Sequence, residues 1–250
     1  MDLQSQSAET FTIYSLSEYA VTLEFDQQIA TQTLDKIVRF NALLHQRPFD
    51  GFETTVPAYA TLSIFFDPIQ VMRSSGLRGV NCFQRVSDYL RGLRYAPGSA
   101  TYPHGDTLTI PVCYGGDFGP DLDEVASRNG LTPAEVIQQH SAALYRVYLI
   151  GFTPGFPYLG GLPEQLATPR KQTPRPSISR GSVGIAGKQT GIYPQDTPGG
   201  WQIIGRTPLS LFNVANRPPA LLKAGDQVIF QPIPPEQFEF NRKADADTDR

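Results

Sequence analysis

Cysteine is scarce in this chain: two among 250 residues, Cys82 and Cys113, and neither sits in a CxxC pair. That excludes a disulfide framework and makes a reduced, cytoplasmic protein the expectation. Long apolar runs are missing too. No stretch approaches the roughly 18 apolar residues of a membrane helix, and the first ten residues, MDLQSQSAET, do not read as a leader. Histidine occurs three times, at 45, 104 and 140, with no metal-ligand spacing, so no metal is expected. A formal charge of -3 and the lack of a basic patch interleaved with aromatics argue against nucleic acid. Nucleotide and esterase signatures fail as well. A phosphate loop built on Gly187-Lys188 needs Gly at 182 and Ser or Thr at 189, where Ser182 and Gln189 stand. The run Gly181-Ser182-Val183-Gly184 is one residue short of a nucleophile elbow.

What remains is an ordinary globular composition, 40% hydrophobic and 18% charged, with enough chain for one large domain or two small ones. Residues 11–25 read as two short strands around a Ser-Glu turn. Residues 28–45 place Ile29, Leu34, Ile37, Val38 and Leu44 near one helical face, with a break at Asn41 and a stop at Pro48 and Gly51. Residues 52–66 give two more strands. A helix weakened by Gly76 and Gly79 is expected over about 69–93, and TLTIPVCY at 107–114 alternates like a strand. The first 115 residues therefore suggest an α+β sandwich. Two capping boxes follow, Asp121 with Glu124 and Thr132 with Glu135, the first helix stopping at Asn129-Gly130.

Composition changes at residue 151. Residues 151–200 hold ten glycines and eight prolines, against about six of the two together in average usage. Long helices cannot form there. Yet Phe152, Phe156, Tyr158, Ile185 and Tyr193 are too many large apolar residues for a disordered linker. Tight turns between short strands of a barrel or sandwich fit both facts. DQVIFQP at 226–232 reads as a closing strand, and the polar stretch from Asn241 as a frayed tail.

Four blocks, in order, carry a resemblance: IPVCYGGDFGPDLDEVA (110–126), VIQQHS (136–141), GFTPGFPYLGGLP (151–163), and TPRKQTPRPSISRGSVGIAGKQTGIYP through TPGGWQIIGRTPLSLF (168–212). Each alone is weak. Together, over about 100 residues, they resemble the family of 5-oxoprolinase B subunits, also called the Kip-inhibitor or allophanate-hydrolase subunit 1 family. VPAYATLSIFFDP at 56–68 fits as well; SIS at 177–179 departs from the Val-Pro pair more usual there. The resemblance implies an N-terminal α+β domain followed by a C-terminal cyclophilin-like β-barrel; with the boundary placed near 105 these are residues 1–105 and 106–240, and the polar residues 241–250, outside the match, read as a flexible tail. It implies ATP-dependent hydrolysis of the 5-oxoproline lactam to glutamate, with ATP activating the amide oxygen, shared with A and C subunits. ATP would serve the assembled complex and not bind recognisably to this chain. Two alternatives come with the family: an inhibitor of a sensor histidine kinase, and a carboxyltransferase-type subunit working with a biotin-dependent urea carboxylase. The biotin-attachment Met-Lys pair is missing, since Arg73 follows Met72.

Candidate site residues follow from those blocks, each with two readings. His140 is either a general acid or base or a helix-terminal residue bonded to nearby carbonyls. Arg206 either holds a substrate carboxylate or pairs with Asp196 or Glu164. Gln189 and Thr190 either bond a lactam amide or bridge turns. Tyr193 and Trp201 are either substrate walls or barrel core. Phe152, Phe156 and Tyr158 are either core or the aromatic anchor of a partner interface. Arg170 and Arg175 read as loop-structuring or inter-subunit residues. Gly155, Gly199 and Gly200 read as positions where only glycine permits the backbone path.

Overall fold

The computed structural model describes residues 11–27, 30–93 and 105–248, with side chains to residue 241. The chain divides into two compact units, Met1–Pro103 and His104–Arg250.

In the first unit the order is β1 (Thr12–Ser17), β2 (Ala20–Glu24), α1 (Thr31–Gln46), β3 (Phe52–Pro57), β4 (Thr61–Phe66), α2 (Pro68–Arg73) and α3 (Cys82–Gly92). The strands form one antiparallel sheet in the order β1-β2-β4-β3. Alternation sends Val21, Leu23, Leu62 and Ile64 to one face, where Ile37, Leu44, Val86 and Leu90 pack on them. The single helix expected over 69–93 is two. Asp67 starts α2 by accepting from the amides of Ile69 and Gln70, and Asn81 restarts the chain as α3 by accepting from Gln84 N. Between them Gly79 takes a φ of +142°. Asn41 is no break; its side chain accepts from Thr55 Oγ1 at 2.7 Å while α1 continues.

The second unit runs β5 (Thr107–Tyr114), α4 (Leu122–Asn129), α5 (Pro133–Ala142), β6 (Leu144–Ile150), β7 (Pro157–Gly160), β8 (Arg175–Ile178), β9 (Ser182–Ala186), β10 (Gln189–Ile192), β11 (Thr197–Gly199), β12 (Gln202–Arg206), β13 (Gln227–Pro232) and α6 (Pro235–Thr248). Seven strands close a barrel in the order β10-β7-β6-β13-β5-β12-β9. Only the β13–β5 pair is parallel. Its interior is filled by Ile110, Val147, Leu159, Ile185, Ile204 and Phe230 among others. β8 and β11 pair as a separate ribbon.

The Thr132–Glu135 capping box is present. The one expected at Asp121–Glu124 is not, because the Asp121 carboxylate is turned to other partners. Where the sequence suggests a flexible tail from 241, the backbone is helical to Thr248. Residues 249 and 250 lie outside the described residues. Among the described residues no helix is long and apolar enough to cross a membrane.

Candidate functional site

The Gly/Pro-rich segment builds a pocket. The chain enters it at Gly151 and turns at once: Thr153 N donates to Gly151 O at 2.8 Å, with Phe152 at a φ of +69° between them. That is the strained form of the three-residue γ-turn. Phe152 is also the one non-glycine residue with positive φ among those described. The turn leaves its ring 62% exposed, edge-on to Phe156 at 5.6 Å and to Tyr193 at 6.5 Å. Behind it Phe156, Tyr158, Tyr193 and Trp201 stand in mutual edge contact at 4.8–5.8 Å. Arg170, Pro174, Pro198, Gly199 and Gly200 complete the wall of a cavity of about 260 Å³.

Glycine is needed around this pocket, at Gly191, where a Cβ would lie 2.9 Å from both the Phe156 ring and Pro157 O, and at Gly199 and Gly155. A Cβ on Gly199 would lie 2.5 Å from the Tyr193 hydroxyl, and Gly155 combines a φ of +83° with Phe212 against it. Gly200, grouped with them in the sequence, has room for a side chain.

The charged member of the wall is Arg170. Its guanidinium lies over the Trp201 ring, 6.0 Å from the centroid. Burial pushes the Tyr193 phenol up to about 12, against an opposing pull from Arg170. Burial likewise raises Tyr158, again opposed by Arg170. Both phenols therefore stay protonated donors near a fixed positive charge. Such a wall stacks on a small ring and can meet an anionic group at one edge.

Two groups of expected residues thus meet in one place: Tyr193 and Trp201, and Phe152, Phe156 and Tyr158. The separate assignment of the first pair to a ligand and the second three to a partner is not what the geometry favours. Phe156 is 1% exposed, so a partner cannot reach it without repacking; Phe152 offers its ring to the outside and Tyr158 is half-buried.

The other expected residues lie elsewhere. His140 is fully buried at the end of α5. Its Nε2 is 3.0 Å from Thr190 Oγ1 and its Nδ1 is 2.8 Å from the Tyr114 hydroxyl. Thr190 gives its one hydroxyl proton to Gly184 O, so it accepts from His140 Nε2–H, and Nδ1 accepts from Tyr114. The ring stacks on Phe230 at 4.6 Å. Burial alone lowers its pKa to about 3. This is a neutral, fully bonded core histidine, a geometry that gives no support to proton transfer with a substrate. The same bonds occupy the Thr190 hydroxyl, and Gln189, at the start of β10, is not on the pocket wall.

Arg206 is also off the wall. Its Nε donates to Arg180 O at 2.7 Å and its guanidinium lies 5.9 Å from the Phe238 ring. The acids suggested for it have other contacts: Asp196 accepts from Arg180 N, and Glu164 pairs with Lys188. The cation of the pocket is Arg170, whose only signal in the sequence was membership of the 168–212 block.

Behind the wall Arg175 structures its loop, one of the two roles the sequence offered for it, by gripping Asp121; that Asp121 and Lys171 join it there was not legible. Asp121, 2% exposed, accepts from Arg175 through two bonds of 2.7 Å. It also accepts from Lys171 at 2.9 Å and from Ile203 N at 2.7 Å. Among the described residues no cluster of three or more His, Cys, Asp or Glu is placed to hold a metal ion.

Comparison with known proteins identifies the family. The chain is 44% identical to the 5-oxoprolinase B subunit of Bacillus subtilis, over 91% of its length and 95% of that protein. It is 39% identical to the 5-oxoprolinase B subunit of Escherichia coli O157:H7, over 88% and 94%. The crystal structure of a conserved uncharacterized protein from Pyrococcus horikoshii superposes with a TM-score of 0.53 at 40% identity, covering 91% of this chain and all of that one. Residues 11–222 match the family described as the carboxyltransferase domain, subdomains C and D. The chain therefore belongs to that family and, within it, to the family of 5-oxoprolinase B subunits.

Proposed function

We propose that this chain is the B subunit of an ATP-dependent 5-oxoprolinase, which opens the 5-oxoproline lactam to glutamate only together with A and C subunits. The barrel is of the cyclophilin-like kind and the complex works in the cytoplasm; Cys82 and Cys113 are both free thiols, as a reducing compartment favours. ATP serves the assembled enzyme. The observation that carries the reading is the pocket itself, five aromatic side chains around one arginine in a cavity of about 260 Å³. A lactam ring carrying one carboxylate has the two features this wall complements, an apolar ring and an anion. Phe152 and the half-buried Tyr158 meet the ring, Tyr193 and Trp201 back them as the buried floor of the pocket, and Arg170 takes the carboxylate in the role the sequence suggested for Arg206.

The test uses chain co-purified with its A and C partners, and reads glutamate formed from 5-oxoproline and ATP. The lone chain should give no turnover. Arg170→Met in the complex should raise KM more than tenfold, about 1.4 kcal/mol, with an almost unchanged Tm, since the side chain is exposed. Turnover by the lone chain would remove the need for partners. An unchanged KM in the variant would move the substrate out of this pocket.

A second reading draws on the family's description, which names a carboxyltransferase domain. In it the same pocket would serve a subunit acting with a biotin-dependent urea carboxylase. Biotin-dependent carboxylation of urea by the co-purified preparation, with no glutamate from 5-oxoproline, would select it.

A further inference from the structure

The pocket has two walls that come from different parts of the chain, and a single carboxylate stands behind both. One wall is the loop that carries Arg170 and Pro174; the other begins at Gly199, Gly200 and Trp201. The immediate neighbours of the first pair, Lys171 and Arg175, point away from the cavity to Asp121. Lys171 Nζ reaches Oδ1 at 2.9 Å, and Arg175 grips both oxygens at 2.7 Å. On the second wall, Ile203 N, two residues past Trp201, donates to Oδ2 at 2.7 Å. The backbone repeats the link twice: Asp121 N donates to Ile203 O at 2.8 Å, and Lys171 N donates to Gly200 O at 2.7 Å.

The groups facing this carboxylate are Arg175, Lys171 and the Ile203 amide, with Glu124 behind Lys171 at 2.8 Å and Arg128 on Glu124 at 3.0 Å. Burial would raise the Asp121 pKa, but the bonds from Arg175, Lys171 and Ile203 outweigh it and hold the group below the usual carboxylate range. It is a fixed anion at neutral pH. Two charges and one amide meeting on it can all be satisfied only at one separation of the two walls. A helix N-cap would leave the first turn of α4 tied to this carboxylate; here the side chain gives up that bond for the pocket walls.

We propose that Asp121 is a positioning residue for the aromatic pocket, setting the gap between the Arg170–Pro174 wall and the Trp201 wall and thereby its affinity for a ring ligand. The inference rests on the pocket being the ligand site proposed above. It carries a readout independent of that ligand, because Trp201 is the only tryptophan in the chain and its fluorescence reports the pocket alone.

The test compares the full chain with Asp121→Asn and with Arg175→Lys, which keeps the charge but loses the two-pronged grip. Lys223→Met, which breaks the Lys223–Asp106 pair instead, serves as control. Acrylamide quenching of Trp201, far-UV circular dichroism and titration with L-5-oxoproline are measured on each. Arg175→Lys should at least double the quenching constant, shift Trp201 emission to the red and raise the Kd for 5-oxoproline tenfold, with unchanged circular dichroism. Asp121→Asn should do the same more strongly; should it not fold, Arg175→Lys carries the comparison. The control should leave Trp201 as in the wild type. A lowered Tm with wild-type quenching in Arg175→Lys would overturn the proposal and leave Asp121 as scaffold. If the wild type binds no 5-oxoproline, the substrate reading fails, and the quenching comparison by itself decides the positioning role.

Discussion

Phe152 holds a backbone conformation that L-residues avoid, at a cost of about 1–2 kcal/mol, and uses it to keep a phenyl ring exposed at the mouth of the pocket. Strain of this kind persists where function needs it. Replacing the residue separates the two effects. Phe152→Gly and Phe152→Ala both remove the ring, so both should weaken binding of 5-oxoproline to a similar degree. Only glycine accepts the φ freely, so the glycine variant should be the more stable of the two by about 1 kcal/mol. Thermal melts beside a Trp201 titration would check this; equal stability would show that the turn relaxes without strain.

His140 offers the second residue-level prediction. Its folded pKa, about 3, lies below the ordinary value of 6.5. The unfolded chain therefore binds the extra proton first. Stability should be full above pH 6.5 and fall as pH drops from there towards 3, by up to about 1.4 kcal/mol per pH unit. His140→Gln should flatten that slope in a series of denaturant titrations. A slope unchanged by the substitution would mean that another group titrates.

At the scale of elements, local signals survived and long-range ones did not. Thr132 and Glu135 are three residues apart on one turn, so their mutual capping follows from spacing alone. Asp121 and Glu124 have the same spacing, but Arg175 and Lys171 arrive from about fifty residues away and take the carboxylate. The terminal helix shows the same limit. Its sequence is polar, which suggests that it could be cut without loss. Yet Phe238 is 2% exposed and packs with Cys113 and Ile233, its ring 4.7 Å from that of Phe118. A chain ended after Gln237 loses that ring and exposes its pocket, which should cost about 3 kcal/mol. Its Tm should fall by several degrees. A melt superimposable on the full chain would show that the contact contributes nothing.

At the scale of the whole molecule, the sequence by itself determined the class of answer. Hydrophobic periodicity over the first 115 residues led to the α+β organisation, the shift to glycine and proline at 151 to short strands and tight turns, and the resemblance carried by four motif blocks to the family. These are properties of composition and of residues close in sequence, where the chain's own covalent geometry enforces the pattern. The tertiary structure decided which residues share a site. It joined Phe152, Phe156 and Tyr158 to Tyr193 and Trp201 in one pocket and brought Arg170 to its wall. It took His140 and Thr190 into the barrel interior, and it set Arg206 against Phe238. A side chain's role depends on which neighbours reach it and how much water they exclude, and both depend on barrel closure, which brings together strands far apart in sequence.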